Sequence, residues 1–273
     1  MDLIDIISTP FMQRSFLSAV LLASLFGLFG TFIVPKRLGF MADGISHGSL
    51  LGIALGLLLG IYPILIAIIV ASLYGFMLSR VSSTSNITQD GLVGVFLSGG
   101  MGGAIIIMSY VPGYKPELFS YLFGNILTIQ WTDIYFLTGF FILVTTIFVS
   151  QWRSLVITTI HNDLSHVIDL PVDRTKYFLF IGTSITLIAG VKLLGVILVS
   201  ALLIIPVLIA NQFGQSLRST FGLTQLIGIF STLAGILISY VMDYPTGPSV
   251  AILLVMILML ALFYKNIKAK LSH

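Results

Sequence analysis

Residues 41–60 read MADGISHGSLLGIALGLLLG. The first seven positions hold an aspartate and a histidine, and the eleven from Leu50 to Gly60 carry no polar side chain. Asp43 and His47 are i and i+4, so on a helix they share one face, one turn apart. A carboxylate and an imidazole so placed can share a proton, form an ion pair that fastens helices, or grip one cation together. Glycine recurs every fourth residue at Gly48, Gly52, Gly56 and Gly60. That spacing predicts a smooth helix stripe that lets backbones approach closely in lipid.

The rest of the chain places this segment in a membrane. Of 273 residues, 57% are hydrophobic and 8% charged, against the ~25% charged usual in soluble domains. Residues 134–152 carry no charge, 177–217 only Lys192, and 219–264 only Asp243. Apolar windows of ~20 residues, enough to cross the hydrocarbon core, recur throughout. Alternating strands of an outer-membrane barrel are absent. The expectation is an all-α polytopic membrane protein with about 8–9 transmembrane helices, forming one transmembrane domain over residues 1–273.

Candidate spans lie near 15–34, 45–60, 62–79, 91–110, 133–151, 177–190, 193–211, 221–241 and 247–264. Only Tyr62-Pro63 parts the second from the third, and 177–211 is split around Gly190-Val191-Lys192. Such tight reversals suit helices that do not all run fully across. The first 14 residues, with Asp2 and Asp5, read as an amphipathic interfacial lead-in and not a signal peptide. The tail KNIKAK (265–270), Arg218, the 152–176 loop, the Arg80–Asp90 loop and Pro35-Lys36-Arg37 read as cytoplasmic by their basic residues. Nine spans put the N-terminus outside; eight would put it inside.

The net charge of +3 does not indicate a nucleic-acid partner, because the basic residues lie singly or in short groups beside apolar runs. With no cysteine, disulfides and thiolate metal sites are excluded. GISHG (44–48) matches the G-x-S-x-G nucleophile elbow, but no strand precedes it and a membrane helix follows, so it is coincidence. No Walker A or HExxH pattern occurs, so the chain is neither an ATPase nor a zincin-type enzyme. His161 and His166 flank Asp163 at a spacing poor for one helical face, which favours a solvated loop over a metal site. Lys192 and Asp243 read as interfacial residues at span ends.

Asp43 and His47 differ from these, because an ionisable residue inside a span is costly and faces a bundle interior or a water path. Carboxylate plus imidazole suits Zn(II), Mn(II) or Fe(II) without cysteine. Two ligands make an incomplete site, and a weak site is what a permeation path requires. A structural Asp–His pair is the plainer reading. Residues 154–170 fit a short amphipathic helix with Leu155, Ile160, Leu164 and Ile168 on its buried side, closed by Pro171. It is either a surface linker or a docking element.

Three strings in order carry a family resemblance: PKRLGFMADGISHGSLLGIALG (35–56), VKLLGVILVSALLIIPVLIA (191–210) and DYPTGPSVAILL (243–254). Together they resemble the metal-ion permeases of ABC importers, the ABC-3 group. The chain departs from the pattern at Gly48, where the group has alanine, at Gly44-Ile45 in place of Ala-Leu, and at Asn162-Asp163 in place of an acidic pair.

The resemblance implies a type II ABC importer-like permease in a bacterial inner or plasma membrane. It implies a homodimer with two nucleotide-binding ATPase subunits below and an extracytoplasmic metal-binding delivery protein above. It further implies a divalent zinc, manganese or iron ion as transported substrate, with no permanently bound cofactor. Asp43 and His47 would be metal ligands. Leu155, Ile160, Asp163, Leu164 and Ile168 would lie in the segment coupled to the ATPase. The alternative is a proton-coupled secondary transporter with Asp43 and His47 as relay, although no second D-x-x-x-H marks a repeated half.

Overall fold

The computed structural model describes residues 8–36, 38–84, 88–112, 121–125, 128–160 and 170–271. Among these residues there is no strand, and eleven helices follow one another. They are α1 (Pro10–Ile33), α2 (Phe40–Gly48), α3 (Leu50–Leu59), α4 (Pro63–Thr84), α5 (Gln89–Tyr110) and α6 (Trp131–Ser150). The remainder are α7 (Trp152–Ile160), α8 (Val172–Leu194), α9 (Val196–Phe213), α10 (Leu217–Met242) and α11 (Thr246–Leu271). Eight stretches are long and apolar enough to span a membrane, with α2 and α3 counting together as Phe40–Leu59. The chain is a multi-pass membrane protein.

Helices α1 and α8 form the centre. In lipid the apolar effect does not drive helices together, so close packing and hydrogen bonds must. On α1, Leu22, Leu25, Phe26, Phe29, Phe32 and Ile33 are all fully enclosed by neighbouring helices. Phe29 meets Phe148 of α6 edge-on at 5.2 Å, Phe148 meets Phe178 of α8 at 5.2 Å, and Phe32 meets Trp152 of α7 at 5.6 Å. This aromatic knot seats the short α7 at one end of the bundle.

That end is also the basic one. It gathers Lys36 after α1, Arg80 on α4, Arg153 on α7, Arg174 and Lys176 on α8, Arg218 on α10 and the lysines of α11. Arg80 donates to the Tyr177 hydroxyl at 3.3 Å, and Lys265 to Gln212 at 3.2 Å. Burial, followed by the charge of Lys176, lowers the pKa of Lys36.

Several boundaries differ from the sequence expectation. Residues 10–14 belong to α1, not to an interfacial lead-in: Pro10 starts the helix with no amide hydrogen to leave unpaired. Met12 is fully buried. The 177–211 region breaks at Gly195, not around Gly190–Lys192. Gly195 has φ +80°, and a Cβ there would lie 2.4 Å from the Leu122 carbonyl. A side chain is excluded both by conformation and by space. Helix α9 is shorter than the spans, ~27 Å at ~1.5 Å per residue, but it starts at the Lys192 end and finishes beside Lys265. It therefore crosses the bundle inside it. Asp243, at φ +54°, caps α10 in the left-handed conformation that aspartate tolerates.

Candidate metal site and its surroundings

Helix α2 is short because its own residues loosen it. The Ser49 hydroxyl donates to the Ser46 carbonyl at 2.7 Å, and Ser46 lies 3.3 Å from the Asp43 carbonyl. Serines that bond back to the ladder compete with it. One residue after Gly48, at Ser49, the helix is interrupted and α3 begins.

Glycines press α2 against its neighbours. A Cβ on Gly44 would meet Val93 of α5 at 2.9 Å, and one on Gly48 would meet Tyr74 of α4 at 2.5 Å. Gly100 of α5 lies directly on Gly48, its would-be Cβ 2.2 Å from the Gly48 Cα. A third side of α2 faces α9, where the Ser46 and Ser200 hydroxyls are 3.4 Å apart and Gly39 abuts Ile204. Along α3, Gly52 rests on the Ala67 backbone and Gly56 on Pro63. Gly60 has a different place: it ends α3 at φ +66° and no atom approaches it.

Asp43 and His47 occupy the side of α2 left between these contacts, and both are half-buried. Their side chains do not bond each other. The His47 Nδ1 sits 3.0 Å from the Asp43 backbone carbonyl. A carbonyl only accepts, so Nδ1 donates to it, and Nε2 is the nitrogen left for any other partner. This is the arrangement that orients an imidazole as a metal ligand. Lys192–Asp133 is the ion pair found among the described residues, so no cation neutralises Asp43 there. Among the described residues no three His, Cys, Asp or Glu side chains converge on a metal position. Asp43 and His47 put one carboxylate and one imidazole on the same side of α2, where structural zinc sites use four ligands.

Leu155 of the proposed docking segment is fully buried, but Ile160 is exposed. The expectation that both face inward is corrected. Five residues turn a helix through ~140° beyond one full turn, so the two cannot share a face. Asp163, Leu164 and Ile168, with His161 and His166, lie outside the described residues. Around α7 a polar crevice of about 520 Å³ is bordered by Gln151, Arg153, Ser154, Pro171 and Arg174.

One cluster was not foreseen. Lys192 of α8 donates to Asp133 of α6 at 2.6 Å, and the Tyr62 hydroxyl reaches the other carboxylate oxygen at 3.3 Å. The Gln130 amide caps the Lys-bound oxygen at 2.8 Å. Burial, then the Asp133 charge and hydrogen bond, raises the pKa of Tyr62, which keeps the phenol a donor. The pair is under 20% exposed on each side (17% and 18%). Removing one partner should therefore cost more than a surface bridge is worth. Lys192→Met is expected to lower unfolding free energy by about 2 kcal/mol, and adding Asp133→Asn should restore most of it. A denaturation series on the two variants checks this; equal stability of Lys192→Met and wild type would show the bridge to be idle.

Comparison with known proteins places the chain among membrane transport subunits. A family model described as the ABC 3 transport family matches residues 8–265. The chain is 26% identical to the high-affinity zinc uptake system membrane protein ZnuB of Haemophilus influenzae, over 92% of this chain and 96% of that one. It is 26% identical to the manganese transport system membrane protein MntC of Halalkalibacterium halodurans, over 95% and 89%. Among solved structures, PsaBC from Streptococcus pneumoniae in complex with Fab superimposes with TM-score 0.88. The two are 27% identical, covering 99% of this chain and 98% of that one.

Proposed function

The chain belongs to the ABC 3 transport family, and on that premise we propose that it is the membrane-spanning subunit of an ATP-driven importer of a divalent transition metal. Two copies form the path, each contributing Asp43 and His47. Together the copies supply four ligands of the borderline type that zinc and manganese accept. The observation that carries this reading is the half-built pair itself: a carboxylate with no cation beside it among the described residues, and an imidazole held through Nδ1, on an interrupted helix. Interrupted helices in transporters place ligands where backbone need not be fully laddered.

The metal is the cargo, held weakly enough to leave again. Relatives named for zinc and for manganese transport support both ions as substrates, and the same ligand chemistry accommodates iron. A separate ATPase docks at the basic end, against the exposed side of α7 and its crevice, where Ile160 is available. A delivery protein releases the ion at the opposite end. Rocking of the two copies then exposes the four ligands to each side in turn. The setting is a bacterial inner or plasma membrane.

The test is uptake into proteoliposomes that hold this chain with its ATPase and delivery protein, with zinc, manganese and iron supplied separately. Accumulation that requires ATP is the expected result. Accumulation that ignores ATP and follows an imposed proton gradient would instead make Asp43 and His47 a proton relay and overturn the importer reading.

A further inference from the structure

At the end of the bundle away from the basic residues, α4 and α6 stand apart. Between them opens a cavity of about 340 Å³, floored by α1 and α8. This is within the range of small-molecule sites, yet it plays no part in the metal site. Its lining changes character with depth on all four sides. On α1, buried Ser18 is followed one turn deeper by Leu22. On the α4 side, Tyr62 at the rim gives way to Leu65 and Ile68. On α6, Asp133 is followed by Phe136 and Leu137, and on α8 Lys192 lies three residues above Ala189.

Three further facts bear on the occupant. The mouth opens sideways on the apolar outer surface of the bundle, since Leu65 and Phe136 are about half exposed (55% and 49%). Trp131 and Tyr135 stack at the same level, 47% and 69% exposed, as aromatic residues do at headgroup depth. The Ser18 hydroxyl, 1% exposed, has no hydrogen-bond partner among the described residues although it lines the cavity. A buried hydroxyl without a partner is costly, and a pure hydrocarbon occupant would not relieve it.

The geometry points to a binding site for one zwitterionic phospholipid of the adjoining leaflet. Its ammonium and phosphate lie against Asp133 and Lys192, an opposed pair that matches a zwitterion better than a single charge. An ester carbonyl accepts from Ser18, and one acyl chain lies on Leu22, Leu65, Ile68 and Phe136. The order of polar head, ester and chain repeats the order of the cavity walls from the rim inward. This assignment is independent of which ion the protein moves or what energises it.

The full chain is reconstituted in vesicles of phosphatidylethanolamine and phosphatidylglycerol, with a trace of either lipid carrying a photoreactive diazirine on its acyl chain. After illumination, labelled peptides are quantified. The phosphatidylethanolamine probe is expected to label residues 62–68 and 133–137 about tenfold above the exposed α10 surface at Leu226 and Phe230, a margin equal to ~1.4 kcal/mol of preference. Ala189→Phe, which fills the cavity, and Leu65→Trp, which obstructs its mouth from an exposed position, should each return that labelling to the α10 level. Leu65→Trp keeps the test valid if filling the cavity perturbs the fold. Labelling no higher than at α10, labelling unchanged in Leu65→Trp, or equal labelling by the phosphatidylglycerol probe would each overturn the assignment.

Discussion

Asp43→Asn and His47→Ala are each expected to reduce ATP-dependent metal uptake by at least about 100-fold while leaving the complex assembled. Losing even an outer-shell partner of a metal site costs ~10–100-fold, and among the described residues no group of three His, Cys, Asp or Glu side chains is assembled that could compensate. In the proposed dimer every substitution is made twice, so each variant would remove half of the proposed four ligands. Asparagine keeps the size of the side chain and its place on α2 but lacks the negative charge. Alanine at 47 also removes the ring that bonds to the Asp43 carbonyl. His47→Gln retains a donor in that region and separates ring orientation from ligation: if ligation is what counts, it should be as defective as alanine. Uptake compared at matched membrane abundance reads the result. Near wild-type uptake in both Asp43→Asn and His47→Ala would reduce the pair to a structural feature.

The second large effect is expected on stability. At Gly100→Val the new Cβ would have to share space with the Gly48 backbone, 2.2 Å away, and backbone cannot rotate aside as a flexible side chain can. Helices α2 and α5 must separate, and α2 carries Asp43 and His47. Overpacking a well-packed interior costs ~1–3 kcal/mol and occasionally more; here a value at or above the top of that range, about 3 kcal/mol, is expected. Gly102→Ala, two residues along the same helix with nothing within 4 Å, should be neutral or slightly stabilising. Thermal unfolding of the detergent-solubilised protein distinguishes the two. Equal stability of Gly100→Val and Gly102→Ala would show that α2 and α5 do not press together as described.

The helices themselves were legible in the chain because a membrane span is announced by length and polarity alone. Each of the nine expected spans has a helix under it, and the basic residues gather at one end. Where the reading missed, local pattern and tertiary constraint diverged. Lys192 looked like the natural stop of an apolar run, yet the stop falls at Gly195, where the Leu122 carbonyl leaves no room for a side chain. Ile160 looked like a buried residue in an amphipathic pattern, but Trp152, Ser154 and Leu155 set the rotation of α7 and leave it exposed. The four-residue glycine spacing marked close contact at Gly48, Gly52 and Gly56, while Gly60 carries the same spacing and serves the helix end.

By itself the sequence determined a polytopic helical bundle and a carboxylate–imidazole couple one turn apart, because each depends only on composition, order and helical periodicity; the family showed in it as the resemblance of three strings. The tertiary structure alone decided that the couple does not pair with itself, that α2 breaks at Ser49, and that Asp133 meets Lys192 beside an amphipathic cavity. Asp133 and Lys192 are 59 residues apart. No local rule relates residues at that distance; only the packing of α6 and α8 on α1 brings them together.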